Sequence, residues 1–582
     1  MQLQIYLCLI QKIHLFLQPK LLISIINDNK VFIIINKKTM KKLTTMMVIA
    51  VMALSACNNS PKVKENPCCP AMQAKVNEYA WVTLTTDLSV LSEKERQMIP
   101  LLIEAAKIAD ELFWIQTFGD KSLLDKVEDP CMKDFAMINY GPWDRLNANA
   151  PFIPGYGEKP TGAQYYPADM TEEEFDALEN PDKNSLYTVL VRNEAGALEV
   201  VWYKDFYKEK LDEIIALMNK AIELAEDAGF RDYLIERVKA FQTDDYFQSD
   251  MVWMDMKNSL IDFIIGPIEN YDDKYERKAA YESFILVKDV EWSNDLAKFI
   301  SMLPTLQKEL PCDPKYKKYV PGTSSDLNVY DAIYYAGDCN SGSKTIAINL
   351  PNDDKVQALK GSRRLQLKNS MKAKFDKILM PIGELIIEKE QQQHLKFDAF
   401  FWNVTFHEVT HGLGVKQTIN GKGSVDKAMG NEQTSWEEAK ADILGLFMVN
   451  YLIQKGEITN ITQEDAITTY IAGILRSVRF GAASSHGKAN MMCFNFMEDQ
   501  QAFTRNQDGT YHVNFEKSKT AINDWAAIIL KTQAEGNYEF AKTYREQNGG
   551  IRESLQNDLD KIKDANIPRD IRFQQGLEVL GL

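Results

Sequence analysis

The chain has 582 residues, more than one ordinary hydrophobic core supports, and its 45% hydrophobic and 26% charged residues suit a globular protein of two or more lobes. A net charge of -15 with no run of Lys or Arg excludes phosphate-backbone recognition, so no nucleic acid partner is expected. Eight cysteines without a Cys-x-x-Cys pair exclude a thiolate zinc site, and a chain able to build a large core needs no disulfide framework.

The N-terminal region reads as an address. From Met40, the pair Lys41-Lys42 precedes the apolar residues 43–53, a stretch too short for a permanent bilayer span. Leu54-Ser55-Ala56-Cys57 has the form of a bacterial lipobox, with Cys57 as the lipidated residue. Residues 40–57 are therefore expected to be a lipoprotein signal and residues 58–74 a polar tether. Residues 1–39 are rich in Ile, Leu, Lys and Asn without helical or strand periodicity, and read as upstream sequence translated from a misplaced start. The expected location is the bacterial cell envelope, periplasmic or surface-exposed, with membrane contact through lipid alone. Cys8 and Cys57 lie in this region and Cys68-Cys69 close behind it, which leaves Cys131, Cys312, Cys339 and Cys493 as the candidates for one disulfide.

Helical periodicity dominates the body. Residues 84–117 give the first predicted helix, and the Pro- and Gly-rich residues 141–161 a loop. Residues 187–192 and 198–203 flank Asn193-Glu-Ala-Gly-Ala197 as a hairpin. Residues 211–228 carry Ile214, Leu217, Met218, Ala221 and Leu224 at helical spacing, with Gly229 as the expected stop. A strand at 284–287, a helix at 292–309, a loop at 310–323 and a strand at 345–349 follow. Helices are predicted at 357–391, 435–455 and 462–479. The class is α+β with helix in excess.

Of the six histidines, two sit four apart in Phe406-His-Glu-Val-Thr-His411, behind an apolar and aromatic run at 397–405. On a helix both imidazoles point to one side, as two corners of a tetrahedral zinc site, and Glu408 lies beside them to take a proton from water. Gly412 and Gly414 end that helix. Two surface histidines would be the bland alternative, but unpaired ionisable groups in an apolar segment are costly. Position 417 is Gln417, so no third histidine follows closely. A second helix, Ser435-Trp-Glu-Glu-Ala-Lys-Ala-Asp442, offers carboxylates instead, with Ser435 as its expected cap. The third ligand comes from the pair Glu437 and Glu438. Asp442, four residues after Glu438, is placed to accept the free N–H of a ligating histidine.

Together with three further segments, these residues resemble the dipeptidyl peptidase III family of zinc exopeptidases. The segments are Ile268-Glu-Asn-Tyr-Asp272, Ile348-Asn-Leu-Pro-Asn-Asp353 and Ser485-His-Gly-Lys-Ala-Asn490, in the family's order. Familiar members have a six-residue zinc motif and are cytosolic, whereas this chain has the five-residue form and a lipobox. The resemblance implies one zinc ion per chain on His407, His411 and Glu438, with Glu437 and Asp442 behind them. It implies Glu408 as general base, Tyr271 and His486 as oxyanion partners, and Glu269, Asn349 and Asn352 around the substrate's free amino end.

The implied fold has two lobes around a wide cleft. One lobe holds a small β-barrel plus helices, from residues 75–289, 333–378 and 565–582. The other is helical and zinc-bearing, from residues 290–332 and 379–564. Short oligopeptides would bind as an added strand to a monomer whose lobes close on them. Two other functions compete: a zinc aminopeptidase releasing single residues, opposed by the lack of a GAMEN-like segment, and a non-catalytic peptide-binding surface lipoprotein, opposed by the intact Glu408. No role is assigned to His394 or His512.

Overall fold

The computed structural model describes residues 24–27, 30–33, 68–321 and 326–582. The chain divides into two compact units, residues 1–67 and 68–582. In the first, the antiparallel strands Ser24–Asn27 and Lys30–Ile33 pair where the sequence offered no strand periodicity. The expected signal, Cys57 and the tether up to residue 67 lie outside the described residues.

The second unit begins earlier than the tether boundary at 74 implied. Helix α1 (Pro70–Asn77) buries Met72 and Val76, and Cys68 just before it is disulfide-bonded to Cys131. The disulfide thus joins Cys131 to a cysteine set aside with the export region, while Cys312, Cys339 and Cys493 are free. Strand β1 (Tyr79–Thr83) leads to α2 (Glu93–Thr117), which starts later than residue 84 because Ser92 and Glu95 form a reciprocal capping box. The predicted hairpin is present as Thr188–Arg192 and Leu198–Trp202. Helix α3 (Lys208–Leu224) stops before Gly229. That glycine lies instead in the first turn of α4 (Ala228–Thr243), whose start the Asp227 side chain caps.

The central sheet is built from β2 (Ile261–Glu269) and β3 (Ala280–Lys288), followed by helix α5 (Val290–Ser301) and then β4 (Asp326–Gly337), β5 (Ala347–Leu350) and β6 (Arg363–Leu367). Its order is β5-β6-β4-β3-β2, with only β4 and β6 parallel. The expected small barrel takes the form of this curled half-barrel. Most of β2 and β3 is buried on both faces, so the alternation that marks a half-exposed strand is missing and only 284–287 was legible. The predicted helix at 357–391 is interrupted by β6 for a similar reason: Leu367 and Met371 fit helical spacing, while Leu365 and Leu367 follow strand alternation.

The zinc-motif segment is α6 (Phe397–Thr410). It is followed by α7 (Gln433–Gln454), α8 (Gln463–Val478), α9 (Ser485–Asp499) and, near the end of the chain, β7 (Asp570–Gln574), which pairs in parallel with β1. Two large cores result. One gathers buried apolar residues between Leu84 and Val287 and between Tyr330 and Leu367; the other gathers those between Leu296 and Val329 and between Met371 and Ile562. The division falls inside β4, whose Leu327 and Val329 serve the helical core while Tyr330 and Ala332 serve the sheet core.

The Cys68–Cys131 bond closes a sequence separation of 63 residues, for which loop-closure entropy alone corresponds to about 4 kcal/mol. Cys131→Ser is expected to lower the unfolding free energy by up to about 4 kcal/mol, read from urea titration as a lower midpoint, while Cys312→Ser leaves it unchanged.

Candidate metal centre and active site

Helices α6 and α7 are apolar on nearly every side, as core helices are. Phe400, Phe401, Trp402 and Phe406 are buried on the first, and Trp436, Ile443, Leu446 and Val449 on the second. Their backbones come close at Gly445, where a Cβ would stand 2.8 Å from the His407 amide nitrogen and 3.2 Å from its Cα. Helix α7 starts at Gln433, so Ser435 is not its cap as expected; it lies in the first turn and its hydroxyl donates to the Glu432 carbonyl. Helix α6 ends at Thr410, and Gly414 turns the chain away with φ +90°.

This crossing brings His407, His411 and Glu438 together. The Nε2 atoms of the two histidines are 3.3 Å apart, and Glu438 Oε2 lies 3.3 Å from the first and 3.9 Å from the second. A tetrahedron with bonds of about 2.0–2.1 Å has edges of about 3.4 Å, so the three atoms span one face of a zinc site. His407 Nδ1 is 2.7 Å from Asp442 Oδ1, and His411 Nδ1 is 3.1 Å from Glu437 Oε1. These carboxylates accept from the Nδ1 atoms and leave the Nε2 atoms facing inward, able to ligate once deprotonated. Glu438 Oε2 is buried with no donor aligned on it. Two inward ring nitrogens and a buried carboxylate oxygen gathered within a few ångströms fit a divalent cation, and this donor set suits zinc.

The charges agree. Burial alone would push His407 down, but Asp442 and Glu438 raise it to about 10. Burial would raise Glu437, but His411 and Lys440 bring it down to about 2. Glu438 is held well below the carboxylate range because His407 and His486 outweigh its burial. His486 Nε2 is 3.1 Å from Glu438 Oε2, on a largely exposed side chain.

Three supporting residues were not singled out from the sequence. Lys440, fully buried, donates to Glu437 Oε1 at 2.7 Å and to the Leu413 carbonyl at 2.9 Å. Asn490 donates to Asp442 Oδ2 at 2.6 Å, and Gln533 to Glu437 Oε2 at 3.4 Å. The signal for Lys440 was a lysine inside an apolar helix, where a charge needs a partner. Asn490 closes the His486 segment and gave only that hint. Gln533 gave none.

The residues expected around the substrate's amino end form a second group. Glu269 ends β2, and burial with nearby Asp338 raises its carboxyl, against the lowering effect of Asn352 and Tyr271. Asn352 donates to the Ile268 carbonyl at 3.2 Å. Asn349 is exposed on the edge strand β5, opposite Arg364. Tyr271 is 71% exposed and interacts with Glu269; among the described contacts it does not meet the histidine cluster. Beside the histidine cluster lies a cavity of about 270 Å³ lined by Ala347, Val404, His407, Glu408, His486 and Asn490, among others. His394 pairs with Asp465 at 2.8 Å and His512 with Glu388 at 2.6 Å, both away from this cavity's lining.

Comparison with known proteins gives a consistent result. A family model described as Peptidase family M49 matches residues 177–432. The solved structure of DPP III from Caldithrix abyssi is 35% identical and superposes with a TM-score of 0.82, over 87% of this chain and 99% of that one. That of dipeptidyl-peptidase III from Corallococcus sp. strain EGB is 33% identical with a TM-score of 0.71, over 87% of this chain and 97% of that one. A protein of Arabidopsis thaliana named Nudix hydrolase 3 is 30% identical over 573 residues, 86% of this chain and 73% of its own length.

Two outcomes are expected. Gly445→Ala pushes α7 off α6, with overpacking worth about 1–3 kcal/mol, and the purified variant should carry less zinc by elemental analysis at a lower melting temperature. Because His407 holds its proton up to about 10 in the metal-free protein, zinc uptake at pH 8 should release about one proton. Calorimetric titration in two buffers of different ionisation enthalpy measures it; identical heats would contradict it.

Proposed function

The chain belongs to the dipeptidyl peptidase III family, peptidase family M49, as a metallopeptidase, and on that premise we propose that it releases dipeptides from the free amino ends of short oligopeptides. We propose one zinc ion per chain, held by His407, His411 and Glu438. The observation that carries this reading is the triangle of 3.3, 3.3 and 3.9 Å formed by their inward atoms, with Glu408 on the same helix. Bound there, zinc supplies a Lewis acid and lowers the pKa of water.

The chain's own residues do the rest. Glu408 takes the proton of the attacking water and passes it to the leaving amine. His486, beside Glu438, and Tyr271 donate to the developing oxyanion; for Tyr271 this requires the sheet side to approach α6, which closure on substrate would supply. Glu269, with Asn349 and Asn352, holds the substrate's ammonium group and so counts two residues to the scissile bond. The free edge of β5 takes the peptide as an added strand. Part of the Arabidopsis relative has no counterpart in this chain, and its name does not bear on this chain's activity.

We further propose that the protein is held at the bacterial cell envelope through lipid on Cys57. The Leu54–Cys57 pattern supports this, and so does a disulfide, which favours an oxidising compartment.

Protein beginning after Cys57 is expected to shorten a hexapeptide by successive N-terminal dipeptides, read by mass spectrometry. Glu408→Ala is expected to lower kcat by about 10²–10⁴, and a chelator to abolish turnover. Release of single residues would make it an aminopeptidase on the same site. No cleavage with zinc bound would favour the peptide-binding lipoprotein.

A further inference from the structure

The two arginines that open β6 face opposite ways, as neighbours on a strand do. Arg363 turns into the sheet core at 1% exposure, stacks on the Trp253 ring at 4.3 Å and pairs with Asp262 at 3.2 Å and Asp326 at 3.1 Å. It anchors the strand. Arg364 lies opposite Asn349 in the antiparallel β5–β6 register and so shares that residue's side of the sheet. Its Nη1 donates to the main-chain carbonyl of Glu408 at 3.0 Å. Among the described residues, no other hydrogen bond links this sheet to α6.

That carbonyl needs a donor. Glu408 stands in the last turn of α6, where carbonyls have no amide of their own helix to accept from. The amide four residues on, that of Gly412, bonds to Val409 instead. A cation at a helix C-terminus is also favoured by the helix dipole. Arg364 is largely buried and makes no ion pair among the described residues; burial pushes its pKa down, and the nearby Glu408 carboxylate opposes that. A guanidinium kept there without a salt bridge is costly unless the contact itself matters.

We propose that Arg364 is a positioning residue: it caps the last turn of the zinc helix from the sheet and fixes Glu408 relative to the strand pair that carries Asn349. The inference rests on the roles proposed above for Glu408 and Asn349. One guanidinium then sets the spacing between the general base and the grip on the substrate's amino end. Misplacement on the ångström scale is enough to slow chemistry without weakening binding.

The test uses Arg364→Met, which keeps the stem and removes the donors, and Arg364→Lys, which keeps a charged donor. In zinc-loaded protein, Arg364→Met is expected to lower kcat for hexapeptide cleavage by about tenfold or more, with KM within about threefold. Zinc content should stay at one per chain, and Arg364→Lys should recover part of kcat. Hydrogen exchange at the amides of residues 408–413 should be faster in Arg364→Met than in the parent. Raised KM at unchanged kcat would make Arg364 a substrate contact and overturn the proposal. Lost zinc would make it a structural support of the metal site and overturn it equally. If the parent releases single residues, the dipeptidyl reading fails while the expected loss of kcat stands. If the parent cleaves nothing, unchanged exchange in Arg364→Met rejects the proposal by itself.

Discussion

The contact on which the site depends is the absence of a side chain at Gly445. The proposed metal site draws His407 and His411 from the α6 segment and Glu438 from α7, so the three atoms converge only if the helix backbones nearly touch. Even a methyl group at Gly445 would press on the His407 amide at 2.8 Å. The apolar surfaces of both helices drive the approach, and Gly445 sets how far it goes. Backbone contact is stiffer than side-chain contact, which suits a site whose bonds tolerate errors of only a few tenths of an ångström.

Convergence of this kind collects charge where water is scarce, and the surroundings compensate. Each imidazole of the candidate site has its own carboxylate, and each of those carboxylates has its own donor: Asn490 for Asp442, Lys440 and Gln533 for Glu437. Lys440 is itself buried, so burial brings it down to about 8, and its further bond to the Leu413 carbonyl ties the loop after α6 back to α7. The result is a chain of partners around Glu438 Oε2, which faces only the ring nitrogens of His407, His411 and His486. Three imidazoles gathered on one carboxylate oxygen distinguish this candidate cation site from an ordinary buried network.

The sequence was most legible where one short segment carries its own geometry. The four-residue spacing of His407 and His411, and of Glu438 and Asp442, fixes which side chains share a helix face, and the structure keeps both relations. It was least legible where meaning depends on distant partners. Cys68 looked like part of the export region because its partner Cys131 lies 63 residues away. Gly229 resembles a helix stop, but Asp227 two residues before it caps a new helix. Ser435 resembles a cap, but the helix begins two residues earlier, at Gln433. Strands β2, β4 and β6 gave little signal, since burial on both faces or along a core boundary removes alternation. Arg364 is the extreme case: nothing in its neighbours along the chain points to the Glu408 carbonyl.

The parallel pairing of β1 with β7 has a consequence for the order of events in the cell. Tyr79 is matched to Asp570, so one of the body's first strands waits for almost the last residues to be synthesised. Domains usually settle from the N-terminus as they emerge from the ribosome, but here the closing pair must form after the fact, across nearly the whole chain. Until then the edge of β1 is unpaired and the polypeptide is an unfinished fold.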